Sequence, residues 1–268
     1  MSAHQRTRRN VAAASILLLS LAVVGSVAVA HFDHDEAAGA AGSRRSPHVR
    51  ATSSGPRLLR RSFVLGTSVQ GRPIRGMELG PARGPRMLIV GCIHGNECAG
   101  IAVARDLETD RTPQRVTLWV LPNVNPDGFA ARTRQNAHGV DLNRNFPWHW
   151  RRIGHPGDLH YSGPHALSEP ESRIASSLIR RVRPRVSIWF HQQENVVDES
   201  GGDVAIERRY ADLTGMRLAR LPRYPGSAAG WQDHRLPATT AFVVELPAGP
   251  LDAQGVERFS DAILRLLQ

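Results

Sequence analysis

Val90–Gly100 reads VGCIHGNECAG. The apolar run Met87–Val90 breaks at Gly91, and within a few residues the chain presents His94 and Glu97. These are a nitrogen donor and a carboxylate donor at i and i+3, and on a tight turn from strand to helix that spacing aims both at one point. Zinc accepts both donor types, and a catalytic zinc takes three protein ligands and keeps one position open. A strand-to-helix turn with polar residues facing solvent is the plainer account of the same letters. What decides between the two lies elsewhere in the chain.

Working outward, Ser62–Leu65 and Arg75–Leu79 flank Gly66–Pro73 and predict a hairpin. Met87–Val90 predicts a short buried strand, and Glu97–Leu107 a helix from the spacing of Ala99, Ile101, Ala102, Ala104 and Leu107. A strand over Val116–Pro122 and a turn at Pro126-Asp127-Gly128 come next. Ser168-x-x-Glu171 has the form of a capping box opening a helix to about Val182. Further on, Arg185–Phe190 and Thr239–Leu246 read as strands, Val204–Leu213 and Leu251–Leu267 as helices. Strands alternating with helices predict an α/β layer structure with a mixed, mostly parallel sheet. No repeat or second core interrupts residues 58–268, which are read as one domain.

Two polar residues interrupt apolar strands. His191 ends VSIWF, and Glu245 sits inside AFVVEL. An unpaired buried carboxylate costs several kcal/mol, so such a residue has a partner or a purpose. In open α/β sheets ligands bind beyond the carboxyl ends of the strands, and His94, Glu97, His191 and Glu245 all fall near such ends. Taken alone, His191 also reads as a satisfied rim histidine and Glu245 as the partner of an arginine. A second cluster runs through Asn125–Gly128, Arg132, Arg134, Asn136 and Gly139–Pro147. A guanidinium fork beside an amide suits capture of a carboxylate, and a further arginine near a metal suits an oxyanion.

These motifs together resemble the zinc metallocarboxypeptidases, and within them the short bacterial branch that includes the murein peptide amidases. The matching stretches are HGNE (His94–Glu97), NPDG (Asn125–Gly128), Arg134-x-Asn136, VDLNRNFP (Val140–Pro147), YSGP with SEPE (within Tyr161–Glu171), FHQQ (Phe190–Gln193) and FVVELP (Phe242–Pro247). They cover residues 58–268 in the family's order. The resemblance implies a single-domain, three-layer α/β/α carboxypeptidase-like fold and one zinc per chain on His94, Glu97 and His191. That set is the one carboxypeptidase A, itself of this family, uses. The resemblance further implies Glu245 as general base and acid, Arg134 polarising the scissile carbonyl, and Asn143 with Arg144 gripping a terminal carboxylate. Tyr224 stands where the family has a tyrosine over the substrate, at a slightly different spacing from Glu245. Asp141 and Glu169 read as supports, and Ala229–Asp233 as a candidate wall of the pocket for the leaving residue. Asn96, where the digestive enzymes have arginine, and Gln192-Gln193, where they have Ser-Tyr, point away from broad digestion.

The implied function is hydrolysis of an amide next to a free carboxylate, with γ-D-glutamyl-diaminopimelate in cell-wall peptides as the expected substrate. A general carboxypeptidase, a deacylase of the aspartoacylase or desuccinylase kind, and an inactive wall-binding module remain the alternatives. Of 268 residues 41% are hydrophobic, enough for a substantial core, and all 34 basic residues are arginine, giving a formal charge of +10. A basic balance favours anionic surroundings, but the arginines are scattered without interleaved aromatics, which argues against nucleic acid. Residues 1–30, with Arg6, Arg8 and Arg9 before the apolar run Val11–Ala30, read as a signal peptide or membrane anchor. Residues 31–57 read as a disordered linker. Cys92 and Cys98 are expected as small buried residues on the floor of the site, with a disulfide the alternative in an oxidising compartment.

Overall fold

The computed structural model describes residues 57–109 and 111–268. The expected signal or anchor and the linker lie outside the described residues, apart from Arg57. An eight-stranded sheet runs through the molecule in the order β1-β2-β4-β3-β5-β8-β6-β7. Strands β1 (Leu58–Thr67) and β2 (Pro73–Pro81) form the expected antiparallel hairpin. Strands β3 (Arg86–Val90), β4 (Thr117–Leu121), β5 (Val186–Gln192) and β8 (Thr240–Leu246) form a parallel centre. Two three-residue strands, β6 (Val196–Asp198) and β7 (Arg217–Ala219), extend the sheet beyond β8.

Alternation along these strands builds two cores. Met87 and Ile89 face one side with Val186, Ile188, Phe242 and Val244, packed by helices α1 (Gly100–Leu107), α4 (Val204–Thr214) and α6 (Ala253–Arg265). Leu88, Val90, Trp189 and Ala241 face the other, against α3 (Pro170–Val182) and α5 (Ala228–Arg235). The result is the expected three-layer arrangement with a mixed, mostly parallel sheet. His191 follows Ser187 and Trp189 on the second face, and Glu245 follows Ala241 and Val243 on the same face. Parallel pairing sets His191 directly opposite Glu245.

Local chemistry departs from the expectations in three places. The Pro126–Gly128 turn continues as a short helix, α2 (Pro126–Ala131), because Asn125 caps it and proline occupies its first turn. The same Asn125 amide donates to the Ile93 carbonyl at 3.0 Å, fastening α2 to the HGNE loop. That approach requires glycine at position 95, since a Cβ there would overlap the Gly128 backbone. The capping box does not form. Glu169 is the residue before α3, Ser168 bonds Glu169 and Asn145, and Glu171 accepts from the Val69 amide and Asn136 instead. Finally, α1 starts at Gly100 rather than Glu97, because His94–Ala99 are spent on the turn that presents the site.

Cys92 and Cys98 are joined as a disulfide, with Cα atoms 4.8 Å apart. The expectation of two separate thiols is therefore corrected. The turn folds back on itself, and the Glu97 amide donates to the His94 carbonyl at 2.9 Å, which brings the flanking cysteines together.

Candidate active site

The carboxyl ends of β3, β5 and β8 open on one side of the sheet, at the point where the chain has turned from one side of β3 to the other. A cavity of about 280 Å³ lies there. All eight residues singled out from the sequence line it: His94, Glu97, Arg134, Asn143, Arg144, His191, Tyr224 and Glu245.

One wall is a cluster of possible metal donors. His94 Nδ1 and His191 Nδ1 lie 2.9 and 3.1 Å from the same Glu97 oxygen, Oε2. One ligand atom from each of the three residues falls within 4.8 Å of the others. The far nitrogen of His94 is 2.9 Å from Asp141 Oδ1, the outer carboxylate contact that orients a ligating imidazole. His191 Nε2 is buried and has no partner among the described residues. Two imidazoles converging on one carboxylate, His191 from strand β5 and His94 from the turn after β3, are a donor set that fits zinc. Burial lowers the His191 pKa to about 4, against the opposing pull of Glu97, so the ring is held neutral as a ligand must be. Burial pushes Glu97 upward, but the two histidines outweigh it and hold the carboxyl well below the usual range.

Asp141 ties this wall to the next. Its carboxylate meets His94, accepts from Arg134 Nε at 2.9 Å and from the Asn143 amide at 2.9 Å, and lies 3.3 Å from His160 Nδ1. Burial alone would raise its pKa, yet His94, His160 and Arg134 keep it well below normal. Read from sequence as a support, it contacts four residues of the cavity. Glu169 stands apart, bonding Asn136 and His138.

Glu245 is half-buried, and its Oε2 has no hydrogen-bond partner among the described residues. Burial, with the charges of Glu97 and Glu194, raises its pKa to about 7. No arginine pairs with it among the described residues, so the salt-bridge account of this buried acid finds no support.

The opposite wall is cationic. Asn143 and Arg144 lie on a single 3-10 turn, Leu142–Arg144, capped by Asp141. The Asn143 side-chain oxygen accepts from the Ala228 amide at 2.9 Å, which leaves its NH₂ as the group available to a ligand. Arg144 is 4% exposed, donates to the Asn143 carbonyl, and has its guanidinium carbon 4.2 Å from the Tyr224 ring centre. Gly226, at φ +74°, lets the Tyr224 loop run flush against the Arg144 backbone, where a Cβ would collide. Tyr224 itself is 52% exposed and forms the rim.

Of Ala229–Asp233, Ala229 and Gly230 reach this cavity and Asp233 does not line it. Asp233 is on α5 and points back to accept from the Ala241 amide at 2.7 Å. Asp198 and Arg223, unread from the sequence, do line the cavity. The rule that selected Glu245 would have found Asp198, an acid closing the buried run Val196–Asp198.

Asp233 gives a stability prediction. Burial raises its carboxyl to about 7, with Glu207 adding to the rise and the Ala241 amide and Ser200 opposing it. The folded state thus holds this proton more tightly than the unfolded chain does. Its stabilising contribution is complete below about pH 4 and is lost as pH rises through about 7. Asp233→Asn is expected to flatten the fall in stability between those limits, by about 2 kcal/mol after discounting for partial exposure. Melting curves across the window, wild type against variant, check it, and parallel profiles would refute it.

Comparison with known proteins gives one consistent picture. The zinc carboxypeptidase family matches residues 51–204. Murein peptide amidase A of Escherichia coli K12 is 33% identical over 156 residues, 52% of this chain, and the match spans only 64% of that protein. Murein peptide amidase A of Vibrio campbellii is 31% identical over 244 residues, 80% of this chain and 92% of its own. The crystal structure of the murein-tripeptide amidase MpaA from E. coli O157 superposes with a TM-score of 0.60 at 24% identity, covering 77% of this chain and 91% of that one.

Proposed function

The chain belongs to the zinc carboxypeptidase family, a family of metallo-hydrolases, and from that premise we propose that it hydrolyses an amide bond whose amine side carries a free carboxylate. The substrate proposed is the γ-D-glutamyl-diaminopimelate bond of peptidoglycan-derived peptides, with one zinc per chain on His94, Glu97 and His191. One observation carries the reading: a single cavity is lined by the His-Glu-His cluster, by Glu245 with its unbonded Oε2, and by Asn143 with the buried Arg144. A relative 92% covered by the match bears the name murein peptide amidase A, which supports the substrate class. The apolar run Val11–Ala30 supports an exported address, and peptidoglycan lies outside the membrane.

The residues divide the work by position. Arg144 and the Asn143 amide take the free carboxylate through charge-assisted bonds, which fixes the scissile bond against the Glu245 wall. Tyr224 covers the pocket mouth above Arg144. Zinc, when held by the three ligands, supplies Lewis-acid polarisation and makes water a nucleophile near neutral pH. Glu245, unpaired and held near pH 7 by its surroundings, accepts the proton of the attacking water and returns it to the leaving amine. Arg134, anchored to Glu97 and Asp141, adds positive charge where the carbonyl oxygen becomes anionic.

A substrate panel tests the reading. Murein tripeptide, a benzoylglycyl amino acid and an N-acyl amino acid are offered side by side, each with the carboxylate next to the scissile amide free or blocked as a primary amide. The tripeptide is expected to be the best substrate, and blocking its carboxylate to slow hydrolysis by roughly 10- to 100-fold. Preference for benzoylglycyl peptides would favour a general carboxypeptidase, preference for acyl amino acids a deacylase, and no hydrolysis a binding module. Equal rates on free and blocked tripeptide would remove Arg144 and Asn143 from substrate binding.

A further inference from the structure

Beyond Arg134 and Arg144, a third arginine reaches the cavity, and its guanidinium is tied down at several points. Arg223 Nη1 donates to both oxygens of Asp198, at 2.9 and 2.7 Å, and to the Leu221 carbonyl at 3.2 Å, while Nη2 donates to the Glu199 carbonyl. Asp198 is nearly sealed from solvent and also accepts from the Leu221 amide at 2.9 Å. Asp198 takes three hydrogen bonds, two from Arg223 Nη1 and one from the Leu221 amide, and is an anchor for the arginine rather than a receptor for a substrate ammonium. Arg223 is not saturated. Its side chain remains 42% exposed, and its Nε–H and one Nη2–H have no acceptor among the described residues. Nε and Nη2 share one edge of the guanidinium, the edge along which a carboxylate is gripped in a two-point fork.

We infer that Arg223, positioned by Asp198, recognises a second carboxylate at the far end of the leaving residue's side chain. The cavity would then select a leaving amino acid bearing two carboxylates, one for Arg144 with Asn143 and one for Arg223. The inference rests on the proposed amide hydrolysis and sharpens it, because diaminopimelate carries such a distal carboxylate and lysine, otherwise identical, does not. A flexible side-chain carboxylate meeting a prefixed fork loses less freedom on binding than it would against an unanchored arginine.

The test compares kcat/KM on γ-D-glutamyl-meso-diaminopimelate and γ-D-glutamyl-lysine, and in parallel on benzoylglycyl-α-aminoadipate and benzoylglycyl-norleucine. Each pair isolates the distal carboxylate, and the second pair reads the preference even when the peptidoglycan substrate is wrong. Wild type is expected to favour the dicarboxylate member by roughly 10- to 100-fold, the range of a charge-assisted contact. Arg223→Gln is expected to bring the ratio to within a few-fold of one. Arg223→Lys should recover only part of it, since a point charge does not reproduce the fork. Asp198→Asn should reduce the ratio mainly through KM, as fits a positioning residue. Melting curves establish that each variant is folded. A folded Arg223→Gln that keeps the wild-type ratio, or a wild type without preference in whichever pair it cleaves, overturns the inference. Cleavage of the benzoylglycyl pair alone, with the preference present, rejects the peptidoglycan substrate and keeps Arg223. An enzyme that cleaves neither pair overturns both readings.

Discussion

Glu245→Gln is expected to lower kcat by at least ~100-fold, the low end of what a positioned acid–base group contributes, with melting temperature and metal content near wild type. The substitution keeps the shape of the side chain and removes its ability to take a proton. Two physical accounts of a buried acid in a central strand make opposite forecasts here. A carboxylate paired with an arginine would lose stability on neutralisation, by roughly 3–5 kcal/mol for a buried pair, and its activity per folded molecule would survive. The structure offers Glu245 no such partner among the described residues and leaves Oε2 buried and unbonded. Burial next to Glu97 and Glu194 already disfavours its charge, so removing that charge should leave the fold as stable as before or slightly more so. Rate, metal content and melting temperature measured on the one variant decide the matter. A stable, metal-loaded and fully active Glu245→Gln enzyme would eliminate the proposed proton transfer.

His191→Ala is expected to abolish metal retention and take activity with it. The deficit should exceed the roughly 10- to 100-fold lost when an outer hydrogen-bond partner of a ligand is removed. Asp141→Asn supplies that comparison within the same protein, because Asp141 touches His94 and Arg134 without belonging to the donor cluster. The expected order is wild type, then Asp141→Asn, then His191→Ala, in metal bound after dialysis as well as in rate. Metal analysis on dialysed protein reads the first and does not depend on turnover. If His191→Ala holds metal as tightly as wild type, the three-residue site is wrong. If Asp141→Asn falls below it, Asp141 contributes more than orientation.

The readable parts of this molecule were those in which a residue breaks the pattern around it. His191 and Glu245 stand out because each interrupts an apolar strand, and parallel pairing sets them opposite one another. The HGNE turn was legible for the same reason, at the end of an apolar run. Elements lacking such contrast were missed. Strands β6 and β7 have three residues each, too few to show a period, and exist because β8 offers them an edge. The capping box at Ser168 was a sound local signal overridden by tertiary bonds, as Glu171 is drawn off to Val69 and Asn136. Arg223 was one arginine among many in the sequence. Only the fold distinguishes it, by setting Asp198 against its guanidinium.

The disposition of the site along the chain bears on how the protein comes to be active. Glu97 and His94 are neighbours in sequence, but His191 lies 94 residues beyond Glu97, and Glu245 is on a strand that reaches its place only after β5 is laid down. Closing a loop of that length opposes folding by about 4 kcal/mol of chain entropy, and contacts of such high sequence separation are characteristically slow to form. A nascent chain therefore carries His94 and Glu97, two of the three proposed ligands, early, and gains His191 and the proposed proton acceptor Glu245 only when β5 and β8 have joined the sheet. On the proposed mechanism, a partly folded molecule holds the beginnings of a site without the groups that hydrolysis needs. In this architecture activity reports that folding has finished.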